Sequence, residues 1–205
     1  MLHYDSYCNL PTKYRILSSE EFNKLYKSAN DFLKPVLLVA INTGMRRSEI
    51  FNLTWQDVNY EQEYICVANS KNDESRIIPM NRVLKDTLEN LNKNPVSEYV
   101  FSHTDGAPIK SVKTSFWSAL RKSGINHCRF HDLRHTFASN LVMAGVDIVS
   151  VQELLGHKSL IMTRRYSHPT PEHKKQAVNK LNISGMDTYL DTCCNKQEIK
   201  VVVTT

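Results

Sequence analysis

The run 36–41, Val36-Leu37-Leu38-Val39-Ala40-Ile41, constrains this chain more than any other stretch, because it is apolar nearly all round. A helix with no polar face must be enclosed by other elements. The spacing predicts a helix over 32–43, with Pro35 in its first turn, where a missing N–H costs little, and Gly44 closing it. The flanking sequence supplies the enclosure. Ser18 and Glu21 have capping-box spacing ahead of Phe22, Leu25, Tyr26 and Ala29. A short helix over 47–53 leads to a strand over 54–58. Two further strands, 64–67 and 76–79, are joined by the polar hairpin 69–74. From Asn81 the periodicity is helical, with helices expected near 81–92, 110–123, 131–144, 147–155, 159–166 and 171–182. Asn94-Pro95, Gly106-Ala107-Pro108, Gly124 and Gly145 interrupt them. The expected fold is mainly α with a small antiparallel β-sheet, an α+β arrangement.

The 205 residues fit one domain with an appended tail. Residues 1–14 read as a lead-in or truncated linker, 15–183 as the folded body and 184–205 as a C-terminal tail. The tail ends in a β-prone run, 199–203, which either frays or adds to a sheet on a neighbouring subunit. No apolar run approaches the roughly 20 residues of a membrane-spanning helix, and the N-terminus lacks the pattern of a secretion signal. Cys8, Cys66, Cys128, Cys193 and Cys194 are odd in number and show no C-x-x-C pair. That usage points to a reducing compartment, the cytoplasm, with neither a disulfide framework nor a zinc knuckle. The net charge of +5 permits a polyanionic partner. Its distribution says more: Lys158, Arg164, Arg165, Lys174, Lys175 and Lys180 crowd one stretch, and Arg46-Arg47 stand together earlier. A solvated helical face explains such clusters as well as a phosphate track does.

Attack on a phosphodiester without a metal requires charge stabilisation on two non-bridging oxygens, a nucleophile, and an acid for the leaving oxygen. Guanidinium forks suit the oxygens, being permanently charged and bidentate. The chain carries such a set. Arg46 follows Thr43-Gly44-Met45; by itself it reads more readily as a surface or ion-paired residue than as a catalytic one, and Glu49 as its holder or as a helix cap. His131 and Arg134, three apart at a helix start, share one face, with Leu133, Phe137 and Leu141 as the buried stripe. His131 and His135 have the i, i+4 spacing of a metal pair, but no glutamate follows His131 and no third ligand is evident. His157 ends a helix, where the dipole favours an imidazolium. Tyr166 is one of nine tyrosines and needs nearby cations to become a nucleophile. The Gly145 junction between two helices also resembles a helix-turn-helix, which supports a rival reading as a catalytically silent DNA-binding protein.

Taken in order, these segments resemble the tyrosine recombinase (phage integrase) family. The Thr-Gly-x-Arg box stands at Thr43-Gly44-Met45-Arg46, with Glu49 at the family's acidic position. Lys71 lies in a hairpin turn. The His-x-x-Arg box is His131-Asp132-Leu133-Arg134, a second histidine segment is Leu155-Gly156-His157-Lys158, and the nucleophile segment is Thr163-Arg164-Arg165-Tyr166. The resemblance covers roughly 15–180. It implies the integrase catalytic-domain fold and metal-free, ATP-free cleavage of double-stranded DNA. Tyr166 would form a 3′-phosphotyrosyl link. Arg46, Arg134 and His157 would bind the phosphate oxygens, Lys71 would act as general acid, and His131 would assist proton transfer. Glu49 would organise the site, and Arg47, Lys158, Arg164 and Arg165 would contact DNA. Relatives add an N-terminal helical clamp domain, for which this chain has no room, and assemble as tetramers on two sites. No cofactor is implied. A type IB topoisomerase-like enzyme would use similar chemistry without exchanging duplexes.

Overall fold

In the computed structural model, residues 15–67, 75–93, 95, 97–166, 175, 178 and 179 are described. The apolar run forms α2, Leu33–Thr43, whose Leu33, Val36, Leu37, Val39, Ala40 and Thr43 are buried. Around it stand α1 (Ser19–Ser28), α3 (Arg47–Phe51), α4 (Arg82–Asn92), α5 (Lys113–Ser123), α6 (His131–Met143), α7 (Ile148–Leu155) and α8 (Leu160–Arg164). Helix α2 packs directly on α3, α4 and α6, while α1 packs on α5. Leu25, Leu37, Leu84, Leu88 and Leu133 meet in the same core. Each contributes roughly 1.5–3 kcal/mol by leaving water. The enclosure expected for a helix without a polar face is present.

Strands β1 (Val58–Asn59), β2 (Tyr64–Val67) and β3 (Arg76–Pro79) form one antiparallel sheet in that order. Ile65 lies opposite Ile78, and Val67 opposite Arg76. Side chains alternate across a strand, so Arg76 shares the inward face of β3 with buried Ile78, whereas Ile77 is exposed.

The capping box at Ser18 and Glu21 forms as expected. The strand expected over 54–58 does not. Trp55–Asp57 is instead a turn of 3-10 helix, and only Val58–Asn59 is extended. The Asp57 carboxylate accepts from both the backbone N–H (2.9 Å) and the hydroxyl (2.7 Å) of Thr54, which closes the turn before a ladder can start. Helix α5 starts at Lys113, three residues later than expected, after Ser111 accepts the Lys113 N–H.

The chain divides into two units, residues 1–167 and 168–205. In the second, Lys175, Val178 and Asn179 are helical and exposed; the rest of the expected 171–182 helix, like the 184–205 tail and its 199–203 run, lies outside the described residues. Among the described residues, no helix is long and apolar enough to cross a membrane.

Candidate active site

The site begins where α2 stops. The Thr43 hydroxyl donates to the Val39 carbonyl (2.6 Å) and accepts from the Met45 N–H (3.2 Å). Gly44 then turns the chain with φ +61°, and a Cβ there would lie 2.3 Å from the Phe137 ring on α6. Both facts demand glycine. The turn hands the Gly44 carbonyl to Arg134, whose Nη1 donates to it at 2.6 Å.

A second turn completes the frame. Helix α7 starts on Asp147, whose carboxylate accepts from the N–H groups of Val149 and Ser150, and ends at Gly156, again left-handed at φ 63°. Carbonyls at the end of a helix lack intrahelical partners and carry the negative end of its dipole. Here three consecutive ones each receive an arginine from a different element. Arg76 Nε of β3 donates to Leu154 O at 2.9 Å, Arg134 Nη2 of α6 to Leu155 O at 2.6 Å, and Arg46 Nη2 to Gly156 O at 3.1 Å. Residues 21 to 110 positions apart are thereby brought to one spot.

Glu49 keeps these cations together. It accepts from the Arg46 backbone N–H and Nη1, both at 2.7 Å, and from Arg76 Nη2 at 2.7 Å and Nη1 at 3.1 Å. Burial opposes its charge, yet the Arg76 fork and then Arg46 outweigh that penalty and lower its pKa to about 2. Arg134 is 4% exposed. Burial, and next the Arg46 guanidinium, lower its pKa to about 10, so it stays charged at neutral pH.

Three histidines at the site, His131, His135 and His157, are held in the neutral form. His157 follows the α7 turn, with Nδ1 2.8 Å from the Thr163 hydroxyl. Burial, then Arg134 and Arg46, push its pKa down to about 3. Burial and the neighbouring guanidiniums thus override the dipole effect expected to favour its imidazolium. His135 falls to about 4, chiefly through burial and then His131. Its Nδ1 is 2.6 Å from the Tyr166 hydroxyl. Tyr166 is 7% exposed and packs with Phe137, Ala138, Val151 and Leu155. His131 lies edge-on to His135 with ring centroids 4.7 Å apart. Its surface is open, but surrounding atoms, and next Arg134, still lower its pKa.

The phage integrase family model matches residues 15–173. The chain belongs to the phage integrase family. It is 37% identical over 183 residues to the integrase of Salmonella phage P22, an alignment covering 82% of this chain and 47% of that protein. The crystal structure of a XerA recombinase superposes with a TM-score of 0.68 at 26% identity, covering 83% of this chain and 66% of that one. A lambda integrase dimer bound to a COC′ core site matches with a TM-score of 0.63 at 25% identity, covering 75% and 61%. The chain thus spans between about half and two thirds of these relatives' lengths.

In this integrase-family chain, Arg46, Glu49, Arg134 and His157 gather at the end of α7, and His131 stands one helical turn before Arg134. Arg134 is buried and grips two carbonyls, whereas His131, three residues before it, is exposed. Tyr166 engages His135 through its hydroxyl. Arg47, Lys158, Arg164 and Arg165 are exposed, and Arg165 Nε donates to Met162 O. Lys71 lies outside the described residues. The site contacts of three residues escaped sequence reasoning. Arg76 carried a signal, its in-phase position with Ile78 on β3. His135 carried one in its adjacency to Arg134. Thr163 carried none.

Proposed function

We propose that residues 15–183 are the catalytic domain of a site-specific DNA recombinase acting through a protein–DNA phosphotyrosine. The observation that carries the reading is the convergence of Arg46 and Arg134 on adjacent carbonyls beside His157, with Tyr166 tied to the same helix α6 through His135. Two guanidiniums held this rigidly match the charge that grows on the non-bridging oxygens of a scissile phosphate. In the tautomer whose Nδ1 accepts from the Thr163 hydroxyl, neutral His157 carries its proton on Nε2 as a third donor.

In this account the Tyr166 oxygen attacks phosphorus and the bond to the 5′-oxygen breaks. Lys71 protonates the departing 5′-oxygen, His131 helps to remove the tyrosine proton, and a 3′-phosphotyrosyl link remains. A 5′-hydroxyl from the partner duplex reverses the step and releases Tyr166. The phosphodiester energy is held in the link, so ATP and metal have no required part. The contact with His135, 2.6 Å from the Tyr166 hydroxyl, gives the tyrosine proton a nearby acceptor.

The substrate is double-stranded DNA, contacted through phosphates by Arg47, Lys158, Arg164 and Arg165. The lambda integrase dimer on its core site supports assembly on DNA; a homotetramer on two sites, exchanging the 184–205 tail between neighbours, completes the scheme. The location is cytoplasmic, where such DNA lies.

Nicked duplexes with randomised central sequences test the reading. Loss of the short fragment traps covalent adducts. The wild type is expected to accumulate them in the presence of a chelator, and Tyr166→Phe none. Retained DNA binding without any wild-type adduct would contradict an enzymatic function, and relaxed circles without exchange between duplexes would move it to the topoisomerase type.

A further inference from the structure

Arg76 grips Glu49 and the end of α7 and, among the described residues, hydrogen-bonds none of the groups expected to meet DNA. Its fork takes both oxygens of Glu49, at 2.7 and 3.1 Å, and its Nε takes Leu154 O at 2.9 Å. Its side chain lies so close over the α7 turn that a Cβ on Gly156 would stand 2.9 Å from Nη1 and 3.0 Å from Cδ. It is the mostly buried partner of Glu49, 10% exposed against 38% for Arg46.

We propose that Arg76 is a positioning residue for phosphate cleavage, the clamp through which strand β3 fixes both Arg46 and the turn that presents His157. This rests on the recombinase reading above. Glu49 orients Arg46 twice, through its backbone N–H and Nη1, but a carboxylate on a five-residue helix needs an opposing hold. Arg76 provides it from the sheet and simultaneously pins Leu154, two residues before the Gly156 turn and three before His157. A lysine cannot do this, because a single ammonium has no planar fork spanning a carboxylate and a carbonyl. Arg76 opens β3, so the start of that strand is anchored on the same carboxylate that aligns Arg46.

Single-turnover cleavage of the trapped-product duplex tests this. With Arg76→Gln, the rate constant at saturating DNA is expected to fall by up to about 100-fold, as for a small misplacement of reacting groups, while duplex Kd stays within about threefold. The double variant Glu49→Gln/Arg76→Gln is expected to be no slower than the slower single variant, since both act through one frame. A pH profile supplies the readout that general loosening would not move. Glu49 is faced by Arg46 and Arg76, with Arg134 and neutral His157 beyond them. Without Arg76 its burial is less opposed, so a new acidic limb should enter the Arg76→Gln profile and vanish in the double variant.

An unchanged rate, a loss of DNA affinity equal to the loss of rate, or additive single effects would each overturn the proposal. Should Arg76→Gln unfold at assay temperature, Arg76→Lys keeps the charge and is read in its place; wild-type cleavage by a folded Arg76→Lys would overturn the proposal equally. Wild-type protein without adducts would instead sink the recombinase reading itself.

Discussion

Gly44 shows how much one residue can decide. Its left-handed φ and its distance to Phe137 exclude any side chain, and its carbonyl seats Arg134. Gly44→Ala is expected to destabilise the fold by about 2–4 kcal/mol, combining left-handed strain with an overpacked ring contact. Denaturant unfolding at neutral pH would read this as a lower midpoint with an unchanged slope. The Thr-Gly-x-Arg spacing was legible because it is local: a helix end, a turn and an arginine. Arg76 was not. Its partners Glu49 and Leu154 are 27 and 78 residues away, and on chemical grounds alone an arginine beside a hairpin is only a poor general acid.

At the scale of elements, the end of α7 organises the site. Three orphan carbonyls would be costly to bury unsatisfied, at about 1–3 kcal/mol each, and three arginines meet them. Arg134→Lys tests this economy. An ammonium cannot replace the two guanidinium nitrogens that reach Gly44 O and Leu155 O in different directions. Cleavage is expected to drop on the order of 10²- to 10³-fold, as for a lost transition-state donor, together with a lower melting temperature. A melting temperature at the wild-type value would show that the carbonyls find other partners. Element identity was legible wherever the apolar period was long, as in α2 and α4. It failed at 54–58, where β-prone Thr54, Trp55 and Val58 outvoted the Thr54–Asp57 spacing that closes a turn.

The whole molecule carries its site chemistry into its pH dependence. His135 and His157 have pKa values of about 4 and 3, against an ordinary 6.5. The unfolded chain therefore binds protons below pH 6.5 that the folded chain refuses. Glu49, lowered from 4.5 to about 2, adds a third proton lower down. Stability is accordingly greatest above pH 6.5 and falls as pH falls, by at most about 1.4 kcal/mol per pH unit for each group. Melting temperatures recorded from pH 8 to 4 should decline from about 6.5 downward, and His135→Phe should flatten the slope by close to one proton. A curve level down to pH 5 would mean that these histidines are not held neutral. The overall α+β architecture was readable from periodicity, whereas the seat of Tyr166 was not, since its contact with His135 depends on how α8 packs on α7 and α7 on α6.

The most direct test of the central claim is the site of covalent attachment. Trypsin digestion of the trapped adduct would place Tyr166 in the peptide 166–174, where it is the single tyrosine. Mass mapping should find a nucleotide joined through its 3′-phosphate to that residue. Attachment to any other side chain, or through a 5′-phosphate, would contradict the account.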